Sequence, residues 1–269
     1  MRLRRLFGGR PRVGLALAGG GAKGVAYIPF LEALEEMDVE ISAVSGSSIG
    51  AVIGGLYAAG LGPAELTGVL ETFRPGHLHE VFRINWHGRG LIRGESVRRF
   101  LERTLPVHRF EDTRIPLSVV ATDYWRRDQV VFESGALVDG LQASAAVPGV
   151  FEPAVIGGRV LIDGSVRNTL PYELIRDRCD LLVALDASNR TDNPDRTDIP
   201  RTLVMVLNSF RILTDSITEY KMHYDPADVY FRVKLPGIEM LDFYKFREIF
   251  DTVEGEVTEF RRQLEAKLK

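Results

Sequence analysis

A serine placed between glycines is the first candidate for chemistry in this sequence. Residues 43–50 read A-V-S-G-S-S-I-G and contain the pattern G-x-S-x-G with Ser48 at its centre. A serine on a sharp turn from a strand to a helix needs small neighbours, and Gly46 and Gly50 supply that room. The start of the helix also points backbone N–H groups towards an anion that forms there. The pattern makes Ser48 a candidate nucleophile, although glycine and serine also meet in ordinary turns.

A run of glycines follows the first apolar segment, residues 12–18. Residues 19–24 read G-G-G-A-K-G, which fits the G-x-G-x-x-G fingerprint of dinucleotide-binding proteins. That function also requires an acidic residue at the end of the second strand, where this chain has S-G-S at residues 45–47. A phosphate-binding P-loop fits less well, because Lys23 is followed by glycine and not by serine or threonine.

The same glycine loop fits an oxyanion hole. Consecutive glycines at a helix N-terminus expose backbone N–H groups that can hold the O⁻ of a tetrahedral intermediate. In an open parallel sheet the carboxyl ends of neighbouring strands meet at one edge, so we expect this loop to lie beside Ser48. A nucleophile next to an oxyanion site is a more specific signal than either motif alone. Otherwise the glycines would serve only tight packing of the helix on the sheet.

A serine nucleophile also needs a base. No histidine follows a predicted strand, and the five are His77, His79, His87, His108 and His223. Three aspartates do follow predicted strands: Asp123, Asp163 and Asp186. Asp163 is the best placed, because Gly164 after it permits a close approach, although Asp-Gly is also a common hairpin turn. A triad of Ser48, Asp163 or Asp186, and His223 stays open on these residues alone.

Hydrophobic periodicity predicts the elements that position these residues. Short apolar runs predict strands, and 3.6-residue spacing predicts helices. Predicted strands are residues 12–18, 41–45, 116–123, 129–133, 159–163, 180–186 and, at an edge, 229–234. Predicted helices are 25–37 with a distortion at Pro29, 48–59 ended by Gly60, 63–73, 95–105, 139–147, 202–220 and 243–269. Residues 74–94 and 187–199 are predicted loops, the first a candidate flap. The alternation of strands and helices predicts a parallel sheet with right-handed crossovers.

Composition limits the class of protein. A chain of 269 residues, 45% hydrophobic and 26% charged, suits one α/β domain or two small ones. The formal charge of −3 argues against a general nucleic-acid binder, so no nucleic-acid partner is expected. A single cysteine, Cys179, excludes an internal disulfide and a Cys-rich zinc cluster and suits a reducing compartment. We therefore expect a cytoplasmic protein.

Two segments raise the question of a membrane. Residues 41–64 are uncharged and long enough to span a bilayer, but their glycines and the ending G-L-G-P predict a buried strand–turn–helix instead. The first twelve residues contain five arginines. They form either a solvated arm or a contact with anionic lipid. Residues 73–91 are a second candidate for peripheral membrane contact.

Four ordered motifs carry a resemblance to a known family. They are residues 15–24 (L-A-L-A-G-G-G-A-K-G), 46–50 (G-S-S-I-G), 143–153 (A-S-A-A-V-P-G-V-F-E-P) and 163–164 (D-G). In this order they resemble the patatin-like phospholipase family over about residues 12–176. The resemblance implies a three-layer αβα fold with a central, mostly parallel sheet. Residues 1–11 would be a basic arm, and residues 177–269 the C-terminal part of the same domain.

The resemblance also implies roles for residues. The family uses a Ser–Asp dyad without histidine, so Ser48 would be the nucleophile and Asp163 the proton acceptor. The remaining site residues would be Gly19, Gly20, Gly21, Lys23 and Gly24 in the oxyanion loop, Gly46, Ser47, Ile49 and Gly50 around the nucleophile, and Gly164 and Ser165 in a supporting turn. Lys23 replaces the more usual arginine, and Ser165 the more usual alanine or glycine. No metal or cofactor is implied.

The expected function is hydrolysis of fatty-acyl esters of (lyso)phospholipids or related lipids, with a lipid or acyl ester as partner. An adaptor or regulatory protein with little turnover is the alternative, because fold does not fix function. A dinucleotide-dependent oxidoreductase is a third hypothesis, which predicts binding of NAD or FAD.

Overall fold

The structure is a computed structural model that describes residues 11–73, 92–187, 197, 199–200 and 202–268. The described strands are β1 (Arg12–Leu17), β2 (Glu40–Ser47), β3 (Leu117–Asp123), β4 (Asp128–Phe132), β5 (Ala154–Ile156), β6 (Arg159–Asp163), β7 (Leu181–Asp186) and β8 (Val229–Arg232). The described helices are α1 (Tyr27–Glu36), α2 (Ile49–Ala59), α3 (Pro63–Leu70), α4 (Gly94–Thr104), α5 (Leu137–Ser144), α6 (Thr202–Tyr224) and α7 (Phe246–Leu268). Short 3₁₀ helices include Gly21–Ala26 and Tyr172–Arg178.

The strands form one mixed sheet, and its parallel part has the order β3-β2-β1-β7-β8. Antiparallel pairings join β3 to β4 and to β6, and β6 to β5. The predicted α/β fold with a mostly parallel sheet is confirmed. The segment after residue 176 contributes β7 and β8, and β7 pairs directly with β1. The short strand β5 was not predicted, because three residues give no recognisable period.

Helices cover both faces of the sheet unequally. Alternate side chains of β1 and β7 face a large apolar core built with α1, α2 and α7, and this core includes Leu15, Leu31 and Phe260. The other face carries small residues such as Ala16 and packs against the 3₁₀ helix Tyr172–Arg178 and against α6. Small side chains on the second face let its thinner cover approach the sheet closely.

Most predicted helices and strands are present, with shifted ends. The helix expected from residue 25 begins as the 3₁₀ segment Gly21–Ala26, and α1 starts at Tyr27. The predicted distortion of its second turn is wrong, because Pro29 lies in the first turn of α1, where a missing N–H costs no hydrogen bond. Helix α6 continues to Tyr224, four residues beyond its predicted end. Residues 74–91 of the expected flap, and the basic arm before residue 11, lie outside the described residues.

Candidate active site

Strands β2 and β6 run in opposite directions and end next to each other at the centre of the site. Strand β2 runs parallel to β3 and ends with Ser47 opposite Val120. Strand β6 runs antiparallel along the same edge of β3 and ends with Asp163 opposite Ala121. Strand β4 occupies the other edge. The next residue after β2, Ser48, therefore lies against the last residue of β6.

Ser48 occupies a strained backbone position between β2 and α2. Its φ of 53° lies in the left-handed region, which a non-glycine residue seldom adopts. The turn is tight: a Cβ on Gly46 would lie 2.6 Å from the backbone N of Ala51. One on Gly50 would overlap the carbonyl oxygen of Leu17, the last residue of β1, and that of Ala18 at 2.5 Å. The two glycines thus permit the turn that holds Ser48 at the N-terminus of α2.

Ser48 and Asp163 form a buried hydrogen-bonded pair. Ser48 Oγ donates to Asp163 Oδ2 over 2.5 Å, and the two residues are 6% and 1% exposed. Asp163 Oδ1 accepts from the backbone N–H of Ser165 at 2.7 Å. Thr122 Oγ1 donates to the Asp163 carbonyl at 2.9 Å. Both carboxylate oxygens are therefore oriented, one by the 3₁₀ turn that follows and one by Ser48.

Burial raises the pKa of Asp163 to about 6, because desolvation penalises the carboxylate. The hydrogen bonds from Ser48 and Ser165 act in the opposite direction and lower the pKa. A carboxyl group with a pKa near neutrality is mostly ionised at pH 7 and still basic enough to accept a proton.

Ser144 is a site residue that sequence reasoning did not single out. It is fully buried at the end of α5, and its Oγ accepts a hydrogen bond from the backbone N–H of Ser48 at 2.9 Å. This contact holds the strained backbone of Ser48 in place. The signal was present in the sequence, since Ser144 lies in the motif at residues 143–153.

The glycine loop follows β1 and borders the Ser–Asp pair. Gly19 donates its N–H to the carbonyl of Thr169 at 3.0 Å, and Ala22 donates to that of Met240 at 2.8 Å. Gly20 and Gly21 lie between these two anchors, and both line a cavity with Ser48 and Asp163. The loop is therefore fixed on both sides of these two cavity-lining residues.

The other predicted loop and turn residues have packing contacts. A Cβ on Gly19 would overlap Ser165 Oγ, one on Gly24 would overlap the side chain of Ile49, and one on Gly164 would overlap the carbonyl of Val120. Ser47 Oγ and Ser165 Oγ are 3.2 Å apart. Lys23 is 3% exposed and is not among the residues that line the two cavities beside Ser48. Of these residues, Gly19 and Ser165 line the smaller cavity beside Ser48, whereas Lys23, Gly24, Ser47 and Gly164 line neither cavity.

The other strand-end aspartates hold structural partners. Asp123 accepts from the backbone of Trp125 and Arg126 and pairs with Arg159 at 2.7 Å. Asp186 accepts from Tyr230 Oη at 2.6 Å. His108 and His223 are exposed, and His77, His79 and His87 lie outside the described residues. Among the described residues, Asp163 is thus the acid that contacts Ser48.

Ser48 lines two cavities. The larger, of about 100 Å³, is lined mainly by apolar side chains, among them Val52, Phe73, Phe100, Phe151 and Leu241. The smaller, of about 40 Å³, is bounded by the glycine loop, Asp163, Ser165 and three residues of α6: Phe210, Arg211 and Thr214. Met240 borders both. The larger cavity is therefore apolar, whereas the smaller one is also bounded by the polar or charged residues Asp163, Ser165, Arg211 and Thr214.

The described residues contain no group of three or more His, Cys, Asp or Glu side chains that could hold a metal ion. No described helix is long and apolar enough to cross a bilayer.

The family model described as patatin-like phospholipase matches residues 15–175. The chain belongs to the patatin-like phospholipase family. That match contains Ser48, the glycine loop and Asp163, and it ends before β7, β8 and the two long helices α6 and α7.

Curated relatives and one solved structure are also similar to this chain. An uncharacterised NTE family protein of Mycobacterium tuberculosis (strain H37Rv) is 33% identical over 199 residues, which cover 74% of this chain and 55% of that protein. The lysophospholipase NTE1 of Kluyveromyces lactis is 27% identical over 297 residues, 99% of this chain and 20% of that protein. The chain thus spans about half of the first relative and a fifth of the second. VipD from Legionella pneumophila shares the fold, with a TM-score of 0.59, 14% identity, and coverage of 94% of this chain and 67% of VipD.

Proposed function

We propose that this protein is a serine acyl hydrolase that cleaves fatty-acyl esters of (lyso)phospholipids. The observation that carries the proposal is the 2.5 Å hydrogen bond from Ser48 Oγ to the buried carboxylate of Asp163. Family membership and a relative named lysophospholipase support the lipid substrate.

The proposed reaction has two halves, formation of an acyl-serine and its hydrolysis. Asp163 accepts the Ser48 proton as Oγ attacks the ester carbonyl, and the N–H groups of Gly20 and Gly21 hold the resulting oxyanion. The intermediate collapses to an acyl-serine, and Asp163 returns the proton to the departing alcohol. Water then gives a proton to Asp163 and attacks the acyl-serine. Release of the fatty acid returns that proton to Ser48 Oγ.

The two cavities suit the two parts of such a substrate. The apolar cavity would take the fatty-acyl chain, because Val52, Phe73 and Phe100 offer it no polar partner. The smaller cavity would take the alcohol side of the ester, where Arg211 can pair with a phosphate. An ester with an acyl chain on one side and a phosphate on the other would therefore match both cavities.

The test is hydrolysis of lysophosphatidylcholine and of a p-nitrophenyl ester by three variants. We expect Ser48→Ala and Asp163→Asn each to lower kcat by roughly a thousandfold or more, because each removes a group that acts in the chemical step. His223→Ala is the control and should keep wild-type activity, since its side chain is exposed.

Labelling with a fluorophosphonate separates an enzyme from an adaptor. Wild type should be labelled and Ser48→Ala should not, because the reagent needs a competent serine nucleophile. Full hydrolysis by Ser48→Ala would refute the dyad. A wild-type protein that neither reacts with the reagent nor turns over any ester would favour the adaptor hypothesis.

A further inference from the structure

The exposed side of α6 is uncharged over the described length of the helix. Seven of its exposed side chains are large and apolar, and they define the α6 outer face: Met205, Val206, Ile212, Leu213, Ile217, Tyr220 and Tyr224. The other exposed side chains described on this helix are Thr202, Asn208, Ser209, Ser216 and His223. The charged residues described on α6 are Arg211, Asp215, Glu219 and Lys221; each is only partly exposed, and Glu219, whose side chain is 40% exposed, pairs with Arg232.

Helix α7 supplies an internal comparison, because it also has 23 residues. Its exposed positions include seven charged side chains: Arg247, Glu248, Asp251, Glu254, Arg262, Glu265 and Lys267. Its apolar residues, such as Phe260 and Leu264, are buried against the core. This is the usual pattern of a helix that faces water, and α6 reverses it.

The α6 outer face is a stripe along one side of the helix. At 100° per residue its seven side chains fall within an arc of about 140°. The polar side chains of Thr202, Ser209, Ser216 and His223 lie in the same arc. The opposite side of the helix faces the protein, where Thr214 and Thr218 are buried. A stripe of this width is what an amphipathic helix normally packs against another apolar surface.

The stripe connects to the active site through Phe210. This side chain is half-buried, lines the smaller cavity beside Ser48, and lies one helical turn from both Val206 and Leu213. Met240 continues the apolar path, since it borders both cavities, and its neighbour Leu241 is 47% exposed at the larger one. Two apolar side chains, Phe210 and Met240, thus line the smaller cavity beside Ser48 next to the outer face of α6.

We infer that the α6 outer face docks the protein on the surface of a lipid bilayer. The role of this docking in delivering substrate rests on the function proposed above. The docking itself is inferred from the exposed stripe. Since one side of α6 is exposed and apolar and the opposite side packs on the protein, α6 would lie in the plane of the interface with its apolar side chains in the acyl boundary. Tyr220 and Tyr224, near its C-terminal end, are residues that favour that boundary.

The charge pattern specifies the kind of bilayer. A docking face without exposed Lys or Arg gains its affinity from apolar burial and not from anionic headgroups. The α6 outer face therefore binds zwitterionic phosphatidylcholine vesicles, and salt does not weaken the binding. Binding through the arginine-rich start of the chain would instead require anionic lipid and would weaken as the salt concentration rises.

The experiment is co-sedimentation with phosphatidylcholine vesicles, in a Ser48→Ala background so that no lipid is consumed. We expect Ile212→Ser/Leu213→Ser to lower the partition coefficient at least tenfold, because both side chains are about two-thirds exposed on the stripe. The matched control is Val131→Ser/Val155→Ser, which removes exposed apolar side chains from β4 and β5. In an active background, both double variants should keep wild-type kcat/KM on a soluble short-chain ester. Only the α6 variant should lose hydrolysis of lipid in vesicles.

Three results would overturn the inference. The first is equal vesicle binding by the α6 double variant and its background. The second is binding that requires anionic lipid and disappears in 0.5 M salt. The third is a dimer of the background protein that Ile212→Ser/Leu213→Ser dissociates, since the stripe would then be a contact between two copies. Vesicle binding without ester hydrolysis in the active background would refute the proposed function and leave the docking surface standing.

Discussion

Three buried aspartates end strands of this sheet, and their partners give them different roles. Asp123 is held by two backbone N–H groups and by Arg159, which lower its pKa. Asp186 accepts from Tyr230 Oη. Asp163 contacts a serine hydroxyl and has its pKa raised by burial. A carboxylate already neutralised by arginine is a weak base, so the residue without such a partner beside Ser48 is the one suited to accept a proton.

The raised pKa of Asp163 predicts the acidic limb of the pH–rate profile. The proposed mechanism needs the ionised carboxylate, so kcat/KM for an uncharged ester should rise with pH through an apparent pKa of about 6 and then level off. An ordinary carboxyl group would place that limb near pH 4. The measurement is kcat/KM between pH 4 and pH 9 on a p-nitrophenyl ester, with the ester's own hydrolysis subtracted. A limb near pH 4 would mean that desolvation does not control this carboxyl group.

Helix α2 owes its position to a glycine in its first turn. Gly50 crosses β1 so closely that a Cβ would overlap the carbonyl oxygens of Leu17 and Ala18. This contact places the N-terminus of α2, and with it Ser48, over the end of the neighbouring strand. Gly255 is a matched contrast, because it lies within α7 and a Cβ there would meet nothing within 4 Å.

Substitution by alanine should change the free energy of unfolding in opposite directions at these two glycines. Gly50→Ala should lower the free energy of unfolding by at least about 2 kcal/mol, since backbone atoms must move to accept the methyl group. Gly255→Ala should raise it by about 1 kcal/mol, because alanine has the higher helix propensity. Urea denaturation followed by circular dichroism measures both. A Gly50→Ala variant as stable as wild type would show that α2 can shift on the sheet.

At the scale of the whole molecule, the site is completed by a segment outside the family match. The match ends at residue 175, whereas α6 contributes Phe210, Arg211 and Thr214 to the cavity beside Ser48. Arg211 lines this cavity only because β7 pairs with β1 and the chain then returns over the thinner face of the sheet. Substrate preference would therefore be set by this part of the chain.

Arg211→Gln tests that assignment. We expect kcat/KM for lysophosphatidylcholine to fall roughly ten- to hundredfold, the size of a lost charge-assisted hydrogen bond to phosphate. The value for a monoacylglycerol with the same acyl chain should change little, because that substrate carries no phosphate. Arg262→Gln, on the exposed side of α7, is the control. Equal losses on the two substrates would indicate that Arg211 supports the fold of the site and does not read the phosphate.

Local sequence determined much of this protein. Steric need for small neighbours identified Ser48 and its glycines, and apolar runs located the main strands, because both effects act between residues close in the chain. Asp163 and the dyad were expected from the resemblance of four motifs, while the residues alone left a triad with His223 open. In the structure Ser48 contacts Asp163, and His223 is exposed on α6.

Only the tertiary structure decided which distant groups meet. Ser144 supports the Ser48 backbone from 96 residues away, and Asp163 reaches Ser48 over 115 residues because β2 and β6 end on the same edge of β3. The exposure of the uncharged stripe on α6 was likewise decided by the tertiary structure. Its spacing in the sequence predicts a helix with an apolar side, but whether that side is buried depends on what packs against it. Strand pairing and burial join residues far apart in the chain, and no local pattern of side chains encodes them.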